Sequence, residues 1–502
     1  LRKLILLAGP LILVILALSP PLPNTEKITT SLNINPKFPQ IALGILVWTA
    51  LWWISEIAPL GLTALIPVFL FSLIGVVPWR ESLRGFTDPI MWILIGGFVL
   101  AKAFQVWGLD KRVAYKISTI YKGDNPVMAA FFIAALPPFI LTMTGSITAS
   151  TSIVYPIVLA YLTSMGVKEG SKYAEATMLT LGQAATAGAM FMLISTPPNL
   201  IAKKVIEENL SNFTLTFFDW IIVGTPHAIL GLLISWLVIF NVLKIEKINL
   251  PSARSRLLRE VTSLGPIKKE EKITLAIFLL VLILWLTPGM LTLISSTFIH
   301  IKPLAETLDE LLPEAAPAVL ALILFGLIKI GGRSLLTWKE IEEGIDWNVV
   351  FLLGGGLALG RGLDASGFSR WLAQIITEGG IASYWQLVAI SAILGFVVTY
   401  PASNTASAWI TTPIAASLAI QLGFNPVPAV LAAGLACSIS SALPSTTPPM
   451  AIIYGSKYIK LWNMFKTGMI SDMLRLTILI ILTPYLGEYL CNLKGIPVKI
   501  GP

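Results

Sequence analysis

Residues 399–413 read TYPASNTASAWITTP, a polar and wholly uncharged stretch set between the apolar runs 387–398 and 414–424. Each run is shorter than the ~20 apolar residues that a membrane-spanning helix needs. Hydrocarbon tolerates non-helical backbone only where protein buries it or where it lines a wet cavity. A chain that carries Ser403, Asn404, Thr405 and Ser407 to that depth is therefore expected to enter the bilayer as a hairpin and turn back around something polar. The rest of the sequence agrees with a membrane setting. Hydrophobic residues make up 55% and charged residues 12%, against roughly 25% charged in soluble domains.

Apolar runs bounded by Gly, Pro or charge predict spans at 4–20, 40–57, 62–78 and 88–108, with 109–123 lying along the interface. A hairpin at 126–166 follows, then a helix at 174–208 broken at STPPN (195–199), and a span at 218–243. Beyond the loop 244–272 come spans at 273–297, 315–331 and 347–365 and an interfacial piece near 367–376. The hairpin 383–424, a helix at 428–460 broken at STTPPM (445–450) and a span at 465–490 complete the series. The expectation is an all-α polytopic membrane protein of about eleven spans with two re-entrant hairpins and two Pro-broken helices. Residues 1–34 hold an N-terminal membrane helix, 35–243 a first repeat, 273–490 a second, and 491–502 a C-terminal tail.

The repeat is legible in the motifs. Gly96, Gly97, Lys102 and Gly108 match Gly355, Gly356, Arg361 and Gly367 at an offset of 259. Ser146 and Thr148 match Ser403 and Thr405 at 257, and Thr196-Pro197-Pro198 matches Thr447-Pro448-Pro449 at 251. With five predicted spans between the matching glycines, the copies must run in opposite senses. Inverted repeats are an architecture of secondary transporters, with the site where the copies meet.

Pro-Pro removes two amide donors and disfavours helix just before it. Each break thus exposes carbonyls on one side and amides on the other. Carbonyl and hydroxyl oxygens suit a hard cation such as Na⁺, and helix N-termini suit an anion. Structural readings compete with these. A lone Ser/Thr cluster is commonly helix–helix glue, Lys102 and Arg361 are expected to snorkel at span ends, and Glu56 to cap a turn. It is the paired recurrence of tips and breaks that favours a site.

The net charge of +8 fits the bias of cytoplasmic loops toward Lys and Arg. Residues 244–272 hold eight basic residues against four acids, whereas 298–316 hold Lys302 against Glu306, Asp309, Glu310 and Glu314. The first is placed inside and the second outside, with the N-terminus cytoplasmic behind Arg2 and Lys3. No aromatic-studded basic surface suggests nucleic acid. Cys437 and Cys491 form no metal or disulfide spacing, and His227 and His300 are too few for a histidine metal centre. DASG (364–367) superficially suggests an intramembrane serine protease, but neither histidine has an evident place beside Ser366. No GxxxxGK[ST] motif signals ATP-driven transport.

The SNT at 403–405, the TPP breaks at 196–198 and 447–449, DPIMWILIGGFVLA (88–101), WWISEIAPLGLTALIPV (52–68) and FLLGGGLALGRGLDASG (351–367) together resemble the divalent anion/sodium symporter family over nearly the whole chain. The resemblance implies a non-enzymatic homodimer in the plasma membrane that carries a C4-dicarboxylate, citrate or sulfate, usually with Na⁺, by elevator-type alternating access. It also implies anion contacts at Ser146, Thr148, Ser403, Asn404 and Thr405 and at the breaks, Pro198 and Pro449. Na⁺ sites are implied at Ser403, Asn404, Thr399 and Ser445, and at Ser146 and Ser195. Two positions depart from the family pattern: Ile147 stands where the first tip has Asn, and Met450 where the second break has Asn. Thr144, Ser150, Thr151 and Ser152 are the hydroxyls near enough to compensate for Ile147. A Na⁺-independent exchanger is the alternative reading.

Overall fold

The computed structural model describes residues 2–167, 170–210, 213–246, 248, 258–295, 298–378, 380 and 383–500. Lys247, Arg254 and Arg256 of the basic loop lie outside the described residues. The described residues are predominantly helical, and the paired strands among them are β1 (Lys329–Ile330) and β2 (Arg333–Ser334). Among the described residues, seven helices are long and apolar enough to cross a membrane, or eight if a pair bent by 71° (Trp347–Ala365 with Phe368–Ile376) counts as one span.

The N-terminal helices are α1 (Arg2–Leu18), α2 (Phe38–Ser55), α3 (Leu60–Leu73) and α4 (Pro89–Trp107). Gln40 ties α2 to the end of α1 by donating to Leu16 O and Ser19 O at 2.9 and 2.8 Å. The third predicted span is shorter than expected, because its last residues turn at Gly75 in the left-handed region. Asp88 starts α4 by accepting from Ile90 N at 3.1 Å. The interfacial helix α5 (Leu109–Ser118) is amphipathic as predicted. Its Arg112 nevertheless turns inward and is buried against Glu271 and Gly265 O.

The first hairpin pairs α6 (Pro126–Thr144) with α7 (Ile147–Ser164). Each arm is long enough by itself to span, contrary to the expectation of short arms. The turn is instead placed by its neighbour. Gly145, at φ +104, sits where a Cβ would lie 3.1 Å from the Gly97 carbonyl oxygen, midway along α4. The hairpin therefore reverses at mid-depth. Then follow α8 (Lys172–Gly188), α9 (Pro197–Asn209) and α10 (Phe217–Leu243). The break between α8 and α9 is wider than STPPN, starting at residue 189.

The second half supplies α11 (Lys269–Ser295), α12 (Ala315–Leu327), α13 (Trp347–Ala365) and α14 (Phe368–Glu378). The second hairpin is α15 (Tyr384–Thr399) and α16 (Asn404–Gln421), the second broken helix α17 (Pro426–Ala436) and α18 (Pro448–Tyr454), and the last span α19 (Leu461–Leu493). Here too the sequence misleads on one point. Most of the polar stretch 399–413 is not a loop but the opening turns of α16, and only 400–403 interrupts the helices.

The two broken helices cross in a telling way. The first segment of one, α8, packs on the second segment of the other, α18, while α9 packs on α17. Two chains meet first-to-second in both places only when they run antiparallel, so the repeat is inverted. The hairpins interlock in the same sense, α7 on α18 and α16 on α9.

At the end of α9 a cluster of charges joins this body to α4, α12 and α13. Lys203 is buried between Glu207 and Glu314, with Glu314 at 2.6 Å. Lys204 meets Asp88 at 2.7 Å, and Glu208 meets Arg361 at 2.8 Å. Two expectations are corrected here. Glu314 is no free loop charge but the half-buried partner of Lys203, and Arg361 does not snorkel, since it also donates to Glu81 O at 2.9 Å. Lys102 keeps its place at a span end, 3.8 Å from Glu343.

Candidate functional site

Both tips and both breaks meet at one cavity of about 1160 Å³. Its walls are formed by 145–148, 195–197, 400–405 and 444–448. On one side its lining continues to Arg2, Glu56, Asp346 and Asn348, the ends of α1, α2 and α13. Glu56 is the left-handed C-cap of α2 (φ 47), the turn role foreseen, and is also a cavity residue.

The geometry of each tip follows from short-range hydrogen bonds. Ser146 starts α7 by accepting from Ala149 N at 3.1 Å, and Ser403 starts α16 by accepting from Ala406 N at 3.2 Å. Behind each tip a threonine ties the hairpin to its broken helix. Thr142 Oγ1 donates to Gly188 O at 2.9 Å, and Thr399 Oγ1 reaches Cys437 O at 2.7 Å. The helices that begin at Ile147, Pro197, Asn404 and Pro448 thus all point their N-termini at the same space. Each such end carries the positive pole of its helix, although the two that open on Pro-Pro have no amide donor on their first two residues. Such an arrangement is able to hold an anion without a charged side chain.

Of the residues expected to contact an anion, Ser146, Thr148, Ser403, Asn404 and Thr405 line the cavity. Pro198 and Pro449 do not; both are buried, and the first proline of each pair, Pro197 and Pro448, faces the space instead. Ser195 and Ser445 line it as well, although the Ser195 hydroxyl already accepts from Met192 N at 3.1 Å. Thr399 lies beneath the second tip, 2.9 Å from Asn404 Oδ1, which Ser440 Oγ approaches at 3.2 Å. Neutral oxygens from Thr399, Asn404, Ser440 and the adjoining break form a donor set that fits Na⁺.

The first tip has no such cluster. Ile147 occupies the place of Asn404 and lines the cavity. The neighbouring hydroxyls of Thr144, Ser150, Thr151 and Ser152 are not in the cavity lining; Thr144 donates to Leu141 O at 2.8 Å, and Ser150 and Thr151 donate to Ile147 O at 2.8 and 2.9 Å. The other missing amide is structural. Asn199 is buried and braces the first break by donating to Ala189 O and Met192 O at 2.8 and 2.9 Å, whereas Met450 packs into the apolar core.

Several residues at the site lie outside the sequence reading. Tyr400 lines the cavity, and Thr447, also in the lining, has a buried hydroxyl without a hydrogen-bond partner. Asp472 and Arg475 lie buried behind the second tip. Opposite charges three residues apart inside an apolar span are the signal that marks them, since ionisable groups at that depth are costly and functional. Ser366 ends α13 by donating to Leu363 O at 2.9 Å. His227 bonds Val223 O and Thr483 instead, so no catalytic pair forms with that serine.

The profile of the sodium:sulfate symporter transmembrane region matches residues 14–493. The sodium-dependent dicarboxylate transporter SdcS of Staphylococcus saprophyticus is 30% identical over 454 residues, covering 88% of this chain and 85% of that protein. SdcS of Staphylococcus aureus strain USA300 is also 30% identical, over 457 residues and the same shares of each chain. Among solved structures, MtrF of Neisseria gonorrhoeae, from a class of antimetabolite efflux pumps, matches with a TM-score of 0.50 at 12% identity. That match covers 82% of this chain and 84% of MtrF. The last likeness concerns the fold alone.

Proposed function

Because this chain belongs to the sodium:sulfate symporter family, a family of multi-pass transporters rather than enzymes, we propose that it is a secondary active carrier of a small divalent anion, a C4-dicarboxylate, with Na⁺ as co-substrate. The observation that carries the reading is the convergence of four helix N-termini and two hydroxyl-bearing tips, with no charged side chain among them, on one cavity. Such ends hold carboxylates through amides and dipoles, while the oxygen cluster around Asn404 offers a hard cation its ligands.

In this reading the anion contacts Ser146, Thr148, Ser403, Asn404 and Thr405, with Pro197 and Pro448 marking the breaks that complete the cradle. Thr399, Ser403, Asn404 and Ser445 surround Na⁺, and the first-half site, at Ser146 and Ser195, is the poorer one for want of an amide at Ile147. The repeats 35–243 and 273–490 flank a cytoplasmic loop, the N-terminus is cytoplasmic, and the protein works as a plasma-membrane homodimer. The hairpins, the broken helices and the span that follows each, α6–α10 and α15–α19, move as one body against α1–α4 and α11–α13, an elevator that exposes the cavity to each side in turn.

Uptake of labelled succinate and of sulfate by proteoliposomes, with and without an inward Na⁺ gradient, tests the proposal. Saturable, Na⁺-stimulated succinate uptake is the expected result, and saturable transport of neither anion overturns it. Uptake indifferent to Na⁺ but stimulated by internal anion makes the protein an exchanger, and preference for sulfate or citrate changes the cargo.

A further inference from the structure

Behind the second tip, α19 carries an ion pair that no repeat motif explains. Asp472 and Arg475 are one turn apart, 3.4 Å between Oδ1 and Nη1, with both side chains almost wholly buried. Asp472 Oδ2 accepts from Tyr400 Oη at 2.7 Å and from Ser441 N at 2.6 Å, and its Oδ1 from Ser441 Oγ at 2.8 Å. Arg475 donates to Thr186 O at 3.2 Å and Ser438 O at 3.5 Å. Thr186 lies in the last turn of α8 and Ser438 just past α17. One guanidinium therefore spans the carbonyl ends of the first segments of both broken helices, where each helix presents its negative pole. The carboxylate meanwhile holds Tyr400, a cavity residue, and Ser441, the neighbour of the Ser440 that approaches Asn404.

We propose that Asp472 and Arg475 are positioning residues that set the balance between cation and anion affinity at the cavity. The inference rests on the reading of that cavity as a joint Na⁺ and dianion site. Opposite charges in one buried pair nearly cancel at a distance, so the site stays neutral while the carbonyl ends are compensated. Removing one charge leaves the other uncompensated. Through protein of effective dielectric ~20, a unit charge roughly 10 Å away shifts a binding constant on the order of tenfold, and it does so with opposite sign for a cation and an anion. A merely structural lesion has no such sign rule.

Half-saturation constants for Na⁺ and for succinate, measured in proteoliposomes, read this directly. For Asp472→Asn, which leaves Arg475 uncompensated, the Na⁺ constant is expected to rise about tenfold and the succinate constant to fall. Arg475→Gln is expected to do the reverse. The double variant, and Arg475→Lys, preserve the charge balance and should keep the ratio of the two constants near that of the wild type. Single variants whose two constants move together, or stay put, overturn the inference. If the single variants do not reach the membrane folded, the double variant and Arg475→Lys decide it, and a ratio changed by more than about threefold in either one overturns it. A wild-type protein without Na⁺-driven uptake would instead remove the functional reading, and this inference with it.

Discussion

At the first tip, Thr142 ties α6 to Gly188 O and Ser146 caps α7; at the second, Thr399 ties α15 to Cys437 O and Ser403 caps α16. The two frames are the same down to individual hydrogen bonds. Between serine and threonine, however, one tip holds Ile147 and the other Asn404, and only Asn404 gathers hydroxyls around its carbonyl oxygen. The comparison separates two jobs that a short motif performs together. Serine caps and threonine ties shape a turn that survives at mid-depth, because every backbone group there needs a partner. The residue between them decides what the turn can hold. A duplicated fold can thus stay symmetric while its chemistry becomes one-sided.

The sharpest way to break this comparison is Asn404→Ala against Ile147→Ala. Losing a hydrogen bond to a charged partner costs about 1.5–3 kcal/mol. The first change should therefore lower uptake efficiency by about ten- to a hundredfold, whereas Ile147→Ala should alter it less than about threefold. Equal losses in labelled-succinate uptake would mean that the tips share the work. Next in size is Asn199→Ala, which strips Ala189 O and Met192 O of their donor. It should destabilise the purified protein by about 1–3 kcal/mol, read as a lower melting temperature. Met450→Asn is expected to be destabilising as well, by about 1–3 kcal/mol for an amide buried without a partner, so that the two breaks prove not interchangeable. The smallest effect is reserved for Ile147→Asn. An amide restored at the first tip should lower the half-saturation constant for Na⁺ by about threefold and steepen the Na⁺ dependence of uptake. An unchanged Na⁺ curve would show that more than one residue separates the tips.

Much of this was legible before any coordinates. The tips, the breaks and the inversion all announce themselves because polar residues and paired prolines are conspicuous in apolar chain, and because three motifs repeat at offsets of 251 to 259. Segment lengths were less legible. The polar stretch from Asn404 onward is helical because Ser403 caps it and its hydroxyls bond backward, Thr411 to Ser407 O at 2.9 Å and Thr412 to Ala408 O at 2.7 Å, so polarity there does not mean loop. Likewise, the arms of the first hairpin have the length of true spans, and only the contact of Gly145 with α4 shows where they turn. Least legible were pairings between distant residues. Nothing local tells that Glu314 will meet Lys203, or Arg112 Glu271, and counts of loop charge place a loop without pairing its acids. Asp472 and Arg475 stand outside the repeat, and internal symmetry does not point to residues that occur once.

The charge cluster on α9 bears on how the molecule can work at all. Lys203, Lys204 and Glu208 each hold a partner on a different neighbour, Glu314 before α12, Asp88 at α4 and Arg361 on α13. In the proposed elevator, a stroke that slides α9 along those helices has to unfasten three partly buried ion pairs, and separated charges cost more there than in water. The helix that opens on the cavity at Pro197 is thus also a moored one, and in that proposal the strength of its fastenings sets how fast the carrier cycles.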